Sequence, residues 1–272
     1  MKITHPTYGI VIDTNSEEVK SLFDRLNTIY KEIPKTTCVM CPNKTCVEAD
    51  CCKTFSPPIL LIEFLNILCL LEKKSISAQE KRKLLYDCFK SFLNIESEKP
   101  CILLNETLCS IYSAAPFACR MFGLYDNEEW SKRLKNYSKE LKLPEDKVPF
   151  FEQCKGINLK PKQKNKRISR KTSDILYRQI HEIDVDLFGK DKADGAEIVF
   201  SSMTYIPFDA HFLAIQIGPE KLDQLAEMRI KAKKLKDSEN FSEYLSYKKN
   251  IQDFLKEIER QVFNAENIKG ES

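Results

Sequence analysis

The chain has 272 residues and 42% hydrophobic content, enough for one large domain or two small ones, each with a real core. Its net charge of +3 is close to balance and points to no class of charged partner. The cysteine count is 11, an odd number, which argues against a closed disulfide framework in a chain that has no need of one.

The first residues, MKITHPTYGIVID, contain no long apolar run and no small-residue cleavage site, so they do not read as a secretory signal. The longest apolar stretch, ILLIEFLNILCLL over 59–71, is broken by Glu63 and Asn66. It is too short for a bilayer and reads as a buried helix, so no membrane partner is expected. The expected compartment is the cytoplasm, where thiols stay reduced and clustered cysteines mean metal or redox chemistry before crosslinks.

In chain order, Ser16 predicts the N-cap of a helix over 16–33 that puts Val19, Leu22, Phe23, Leu26, Ile29, Tyr30 and Ile33 on one face. Ser56, Pro57 and Pro58 predict the start of the apolar helix that runs through Leu71. Ser77 with Glu80 forms a capping box before Leu84, Leu85, Cys88, Phe89, Phe92 and Leu93. Asp126 and Glu129 open an amphipathic helix with Trp130, Leu134, Tyr137 and Leu141. Ser173 is the expected cap of a helix bearing Ile175, Leu176, Ile180, Ile183 and Leu187, closed by Gly189. FDAHFLAIQIG and GPEKLDQLAEMRIKAK read as two helices broken at Gly218-Pro219, and a last helix is expected over 240–263. Strand signals are thin, with GIVI (9–12) and EIVF (197–200) as the candidates.

The expected fold is mainly α, with irregular cysteine-rich metal-binding loops embedded in a helical domain and a helical C-terminal region after it. The boundaries read as 1–157 for the cysteine-bearing domain, 158–172 for a basic linker and 173–272 for the C-terminal region. The basic run LKPKQKNKRISRK (159–171) lacks the aromatic stacking residues or recognition helix that nucleic-acid binding would need. It reads as solvated linker, with no nucleic-acid partner.

Cys69 and Cys88 fall on apolar helix faces and are expected in the core, where a thiol packs as a small hydrophobe. The other nine lie in loops or at element ends. CVMCPNKTCVEADCC (38–52) holds Cys38 and Cys41 in a C-x-x-C, then Cys46, then the adjacent Cys51 and Cys52. CILLNETLCSIYSAAPFACRMF (101–122) supplies Cys101, Cys109 and Cys119, and Cys154 follows alone. C-x-x-C lets two thiolates converge through a tight turn, whereas adjacent cysteines diverge and suit different ligand positions. The three histidines lie outside the clusters. Thiolate-only donors suit zinc or an iron–sulfur cluster and disfavour magnesium, calcium and octahedral manganese. Eight of the nine would complete two four-cysteine sites, leaving Cys46 as a spare or substitute ligand.

Together, C-x-x-C, a CC pair, an acidic residue in the next helix, then CSIYSAAPFACR and a late lone cysteine resemble the YkgJ-type cysteine-cluster family, described as a zinc- or iron-chelating domain. The resemblance covers roughly 35–157, and its most specific piece matches at Cys109, Ile111, Tyr112, Pro116, Cys119 and Arg120. It implies Cys38, Cys41, Cys51, Cys52, Cys101, Cys109, Cys119 and Cys154 as metal ligands, with Glu63 in the family's acidic position. Two features depart from the pattern. Ala115 stands where the family usually has Arg, and the gap before the CC pair is longer and includes Cys46. Flagellin lysine N-methylases carry a similar cluster, which adds protein methylation to the implied activities.

Arg120 directly follows a ligand position and could hydrogen-bond sulfur or offset thiolate charge. Tyr112 reads as a packed aromatic, and Glu63 either faces the site or marks the wet side of its helix. The functional expectation is an iron–sulfur protein in redox or protein-modification chemistry, because nine loop cysteines exceed what one structural zinc needs. A structural zinc-binding interaction module and a lysine-methylase-like enzyme are the alternatives, with an unknown protein as partner or substrate. The sequence shows no G-x-G-x-x-G, P-loop, H-E-x-x-H or G-x-S-x-G.

Overall fold

A computed structural model describes residues 1–5, 9–34, 36–38, 57–93, 101–105, 108–121, 124–125, 127–145, 157–159, 167–188, 206–238 and 241–269. Among these the chain is mainly α. The helices are α1 (Glu17–Glu32), α2 (Leu61–Lys73), α3 (Ala78–Leu93), α4 (Phe117–Met121) and α5 (Asn127–Leu141), followed by α6 (Arg170–Phe188), α7 (Phe208–Ile217), α8 (Pro219–Asp237) and α9 (Phe241–Lys269). The strands are short: β1 (Lys2–His5), β2 (Ile10–Asp13), β3 (Thr36–Cys38), β4 (Pro58–Ile59), β5 (Leu104–Asn105), β6 (Leu108–Cys109), β7 (Ile157–Leu159) and β8 (Ile206–Pro207). They form four separate antiparallel pairs, β1–β2, β3–β7, β4–β8 and β5–β6. The expected strand at 197–200, Ser56, Asp126 and Gly189 lie outside the described residues. No helix among the described residues is long and apolar enough to cross a membrane.

The chain divides into two compact units. One comprises Met1–Asp13, Lys74–Ser97 and Phe208–Ser272, and the other Thr14–Lys73 and Glu98–Pro207. This grouping differs from a division in chain order at 158–172. Helix α6 packs with α1 and α2 in the second unit, and both ends of the basic run are held there. Residues 157–159 pair with β3, and the Ile168 N–H donates to Leu124 O at 2.9 Å.

The second unit carries the cysteine segments. Helix α1 begins as its sequence predicts: Ser16 is extended, and its Oγ accepts from the Val19 N–H at 3.2 Å. Glu17 and Glu18 in the first turn and Lys31 in the last complement the helix dipole. Ser16→Ala should therefore cost about 1 kcal/mol in urea unfolding, with the unfolding slope unchanged. Leu22, Leu26, Ile29 and Tyr30 bury one face of α1 against Leu60, Ile62, Phe117, Leu176, Ile180 and Ile183 in a single core.

Two helix starts differ from expectation. Helix α2 begins at Leu61 rather than after Ser56, because Pro58 and Ile59 pair with Pro207 and Ile206 as a short ladder. Two buried carboxylates then take its orphan amides: Glu63 Oε2 accepts from the Leu60 N–H at 3.0 Å, and Asp184 Oδ1 accepts from the Ile62 N–H at 2.7 Å. Helix α6 begins a turn before Ser173, with Ser169 Oγ accepting from the Thr172 N–H at 3.3 Å. Ser173 is instead buried, its hydroxyl 3.2 Å from that of Tyr125. A hydroxyl matched by a side-chain partner no longer has to end a helix.

In the first unit, β1 and β2 form a hairpin with Lys2 opposite Asp13 and His5 opposite Ile10. Helices α3, α7, α8 and α9 pack together, and β1 packs on α7. The Ser77–Glu80 capping box is present in both directions, at 3.2 and 2.7 Å. Gly218, at φ +79°, ends α7, and Pro219 starts α8 where a missing N–H costs nothing. Cys88 is fully buried here, as the apolar pattern of α3 requires. Cys69, in the second unit, is half-buried, and burial pushes its thiol up.

Candidate metal centre

The segment bearing Cys101, Cys109 and Cys119 is a succession of tight turns. The Leu104 N–H donates to Cys101 O at 2.9 Å, and β5 then pairs Leu104 with Cys109. Ser110 secures that pairing twice, through its N–H and its hydroxyl, both donating to Leu103 O at 2.9 and 2.8 Å. A 3-10 turn at Tyr112–Ala114 and Pro116 lead directly into α4, which carries Cys119 and Arg120. All three thiols are half-buried.

Cys38 closes β3 opposite Ile157 of β7. Cys41, Cys46, Cys51, Cys52 and Cys154 lie outside the described residues. Among the described residues no group of three or more histidine, cysteine or carboxylate side chains is placed to hold a metal ion.

Glu63 is the structural centre beneath this segment. It is only 2% exposed, so it does not mark a wet helix face. Its Oε1 accepts from the Tyr30 hydroxyl and from the Phe117 N–H, both at 2.6 Å, while Oε2 takes the Leu60 N–H. Burial pushes the Glu63 carboxyl above its ordinary value; the hydrogen bonds from Phe117, Tyr30 and Leu60 and the charge of Arg120 act against that rise. Tyr30 is pushed well above its ordinary range, first by burial and then by the Glu63 charge beside it.

Arg120 is fixed on backbone. Its Nε donates to Ala115 O at 2.6 Å and its Nη2 to Ser113 O at 2.9 Å, and the guanidinium carbon sits 4.1 Å from the centre of the Tyr30 ring. Two of its donor nitrogens thus clamp the turn that precedes α4, and its face is occupied by an aromatic ring. Tyr112 departs from the packed-aromatic expectation: its side chain is 54% exposed, because the 3-10 turn sends it outward. The aromatic built into the site is Tyr30, which sequence reasoning placed only in the core. Its signal was available, since it is the one hydroxyl-bearing aromatic in the apolar stripe of α1.

The donor chemistry fits a borderline or soft metal. The hairpin and α4 offer sulfur, and the buried carboxylate nearby already accepts from three protein donors. Comparison with protein-family models, with curated proteins and with solved structures yields no match for this chain.

Proposed function

We propose that this is a cytoplasmic metalloprotein of the YkgJ type with a cysteine-only centre, and that the centre is an iron–sulfur cluster used in redox or protein-modification chemistry. The observation that carries the reading is the density of cysteines: five of eleven fall within residues 38–52, and Cys101, Cys109 and Cys119 sit in a turn, a hairpin strand and a short helix of one unit within nineteen residues of chain. Folding alone gives no reason to fix half-buried thiols in this way. Cys38, Cys41, Cys51, Cys52, Cys101, Cys109, Cys119 and Cys154 would hold the metal, with Cys46 as the extra thiol. When bound, the cluster would supply one-electron chemistry; the protein supplies thiolates and a fixed backbone around them.

The deciding measurement is iron, zinc and acid-labile sulfide analysis of full-length protein purified without oxygen, with absorption and EPR spectra of the same sample. Iron and sulfide in matching amounts, lost together in Cys109→Ser and Cys119→Ser, are the expected result. A colourless protein with stoichiometric zinc, even after anaerobic reconstitution, would overturn the cluster in favour of a structural zinc module.

A further inference from the structure

We infer that Glu63 is a positioning residue for the Cys119 thiol, acting through the first turn of α4. The geometry is specific. Phe117 is the first residue of α4 and Cys119 the third, so the Phe117 N–H is one of the orphan donors of that helix. Glu63 Oε1 takes this N–H at 2.6 Å and at the same time takes the Tyr30 hydroxyl at 2.6 Å. Tyr30 in turn places its ring under Arg120, at 4.1 Å from the guanidinium carbon. A five-residue helix is thereby held on both sides of Cys119, at Phe117 by the carboxylate and at Arg120 by the ring that the carboxylate orients.

The same carboxylate also bonds the Leu60 N–H, tying α4 to the start of α2 and to α1. A helix this short has little cooperativity of its own, so outside contacts set its position. Loosening that first turn exposes the Cys119 sulfur, and greater exposure speeds its reaction with an alkylating agent.

The inference rests on the thiolate-centre reading for its purpose, while thiol labelling reads it without any metal. Full-length wild type, Glu63→Gln and Tyr30→Phe would be treated with iodoacetamide over a time course, and labelling at Cys101, Cys109 and Cys119 followed by peptide mass spectrometry. Circular dichroism would confirm that each protein is folded. Cys119 is expected to react severalfold faster in both variants, with Cys101 and Cys109 at wild-type rates. An unchanged Cys119 rate in folded Glu63→Gln overturns the inference, and so does an equal acceleration of all three thiols. If Glu63→Gln does not fold, Tyr30→Phe decides by the same criterion, since it keeps the carboxylate and removes one bond. Metal analysis of the same samples separates the two readings: absence of metal throughout sinks the thiolate centre and leaves the labelling result intact.

Discussion

Glu63→Ala is expected to destabilise the unit that holds the cysteine segments by about 3–5 kcal/mol, roughly the cost of breaking a buried charged network from one side. The reason lies in what would be left behind. The Tyr30 hydroxyl, the Phe117 N–H and the Leu60 N–H all donate to this one carboxylate, and Glu63 and Tyr30 are both almost fully buried. Truncation leaves three buried donors without their acceptor, and it also opens a cavity the size of the lost side chain. Urea unfolding of the full chain, with hydrogen exchange to localise the loss to α1, α2 and α4, measures it. Tyr30→Phe should cost less, because it leaves two donors on the carboxylate. The double variant should fall short of the sum, since both changes remove the same hydroxyl–carboxylate bond. A loss below about 1 kcal/mol for Glu63→Ala, the size of one ordinary hydrogen bond, would show that water replaces these contacts and that the network is not structural.

Much of the helical framework was legible because capping chemistry is local. Ser16, the Ser77–Glu80 box and the Gly218-Pro219 break each act within a few residues, and each does in the structure what its sequence says. The misplaced helix starts have a common cause in contacts that are distant along the chain. Asp184 caps α2 from 122 positions away, and the Tyr125 hydroxyl meets Ser173 across 48. No window of sequence contains both partners. The grouping into units follows the same rule: α6 reads in sequence as the start of a C-terminal region, yet its Ile180 and Ile183 complete the core begun by α1. At the candidate centre, spacing identified the thiol-bearing segments, and the structure fixes three of their backbones separately: Cys101 in a turn, Cys109 in the hairpin from Leu104 and Cys119 in α4. Spacing said nothing of Tyr30, whose role depends on Glu63 and Arg120 reaching it from α2 and α4.

Acidification from pH 7 toward 4 should selectively weaken the unit built from the β1–β2 hairpin and helices α3, α7, α8 and α9, by up to about 3 kcal/mol. His5 is fully buried on β1, with its Nε2 3.5 Å from Nδ1 of the equally buried His211 on α7. Burial lowers the His5 value from 6.5 to about 4. Between those limits the unfolded chain binds a proton that the folded chain refuses, so stability rises with pH across the window. The contribution is complete above 6.5 and is lost as pH falls through about 4. Glu63 acts in the opposite sense in the other unit. Its folded value lies above 4.5, so its contribution is complete below that pH and diminishes as pH rises through the folded value. His5 and Glu63 therefore contribute to the acid response of their own units with opposite signs, and residue-resolved hydrogen exchange distinguishes them after correction for intrinsic rates. Protection in β1 and α7 should fall between pH 6.5 and 4, and His5→Gln should flatten that dependence. If the variant keeps the full wild-type slope, the acid sensitivity belongs to another group and the buried histidine does not control it.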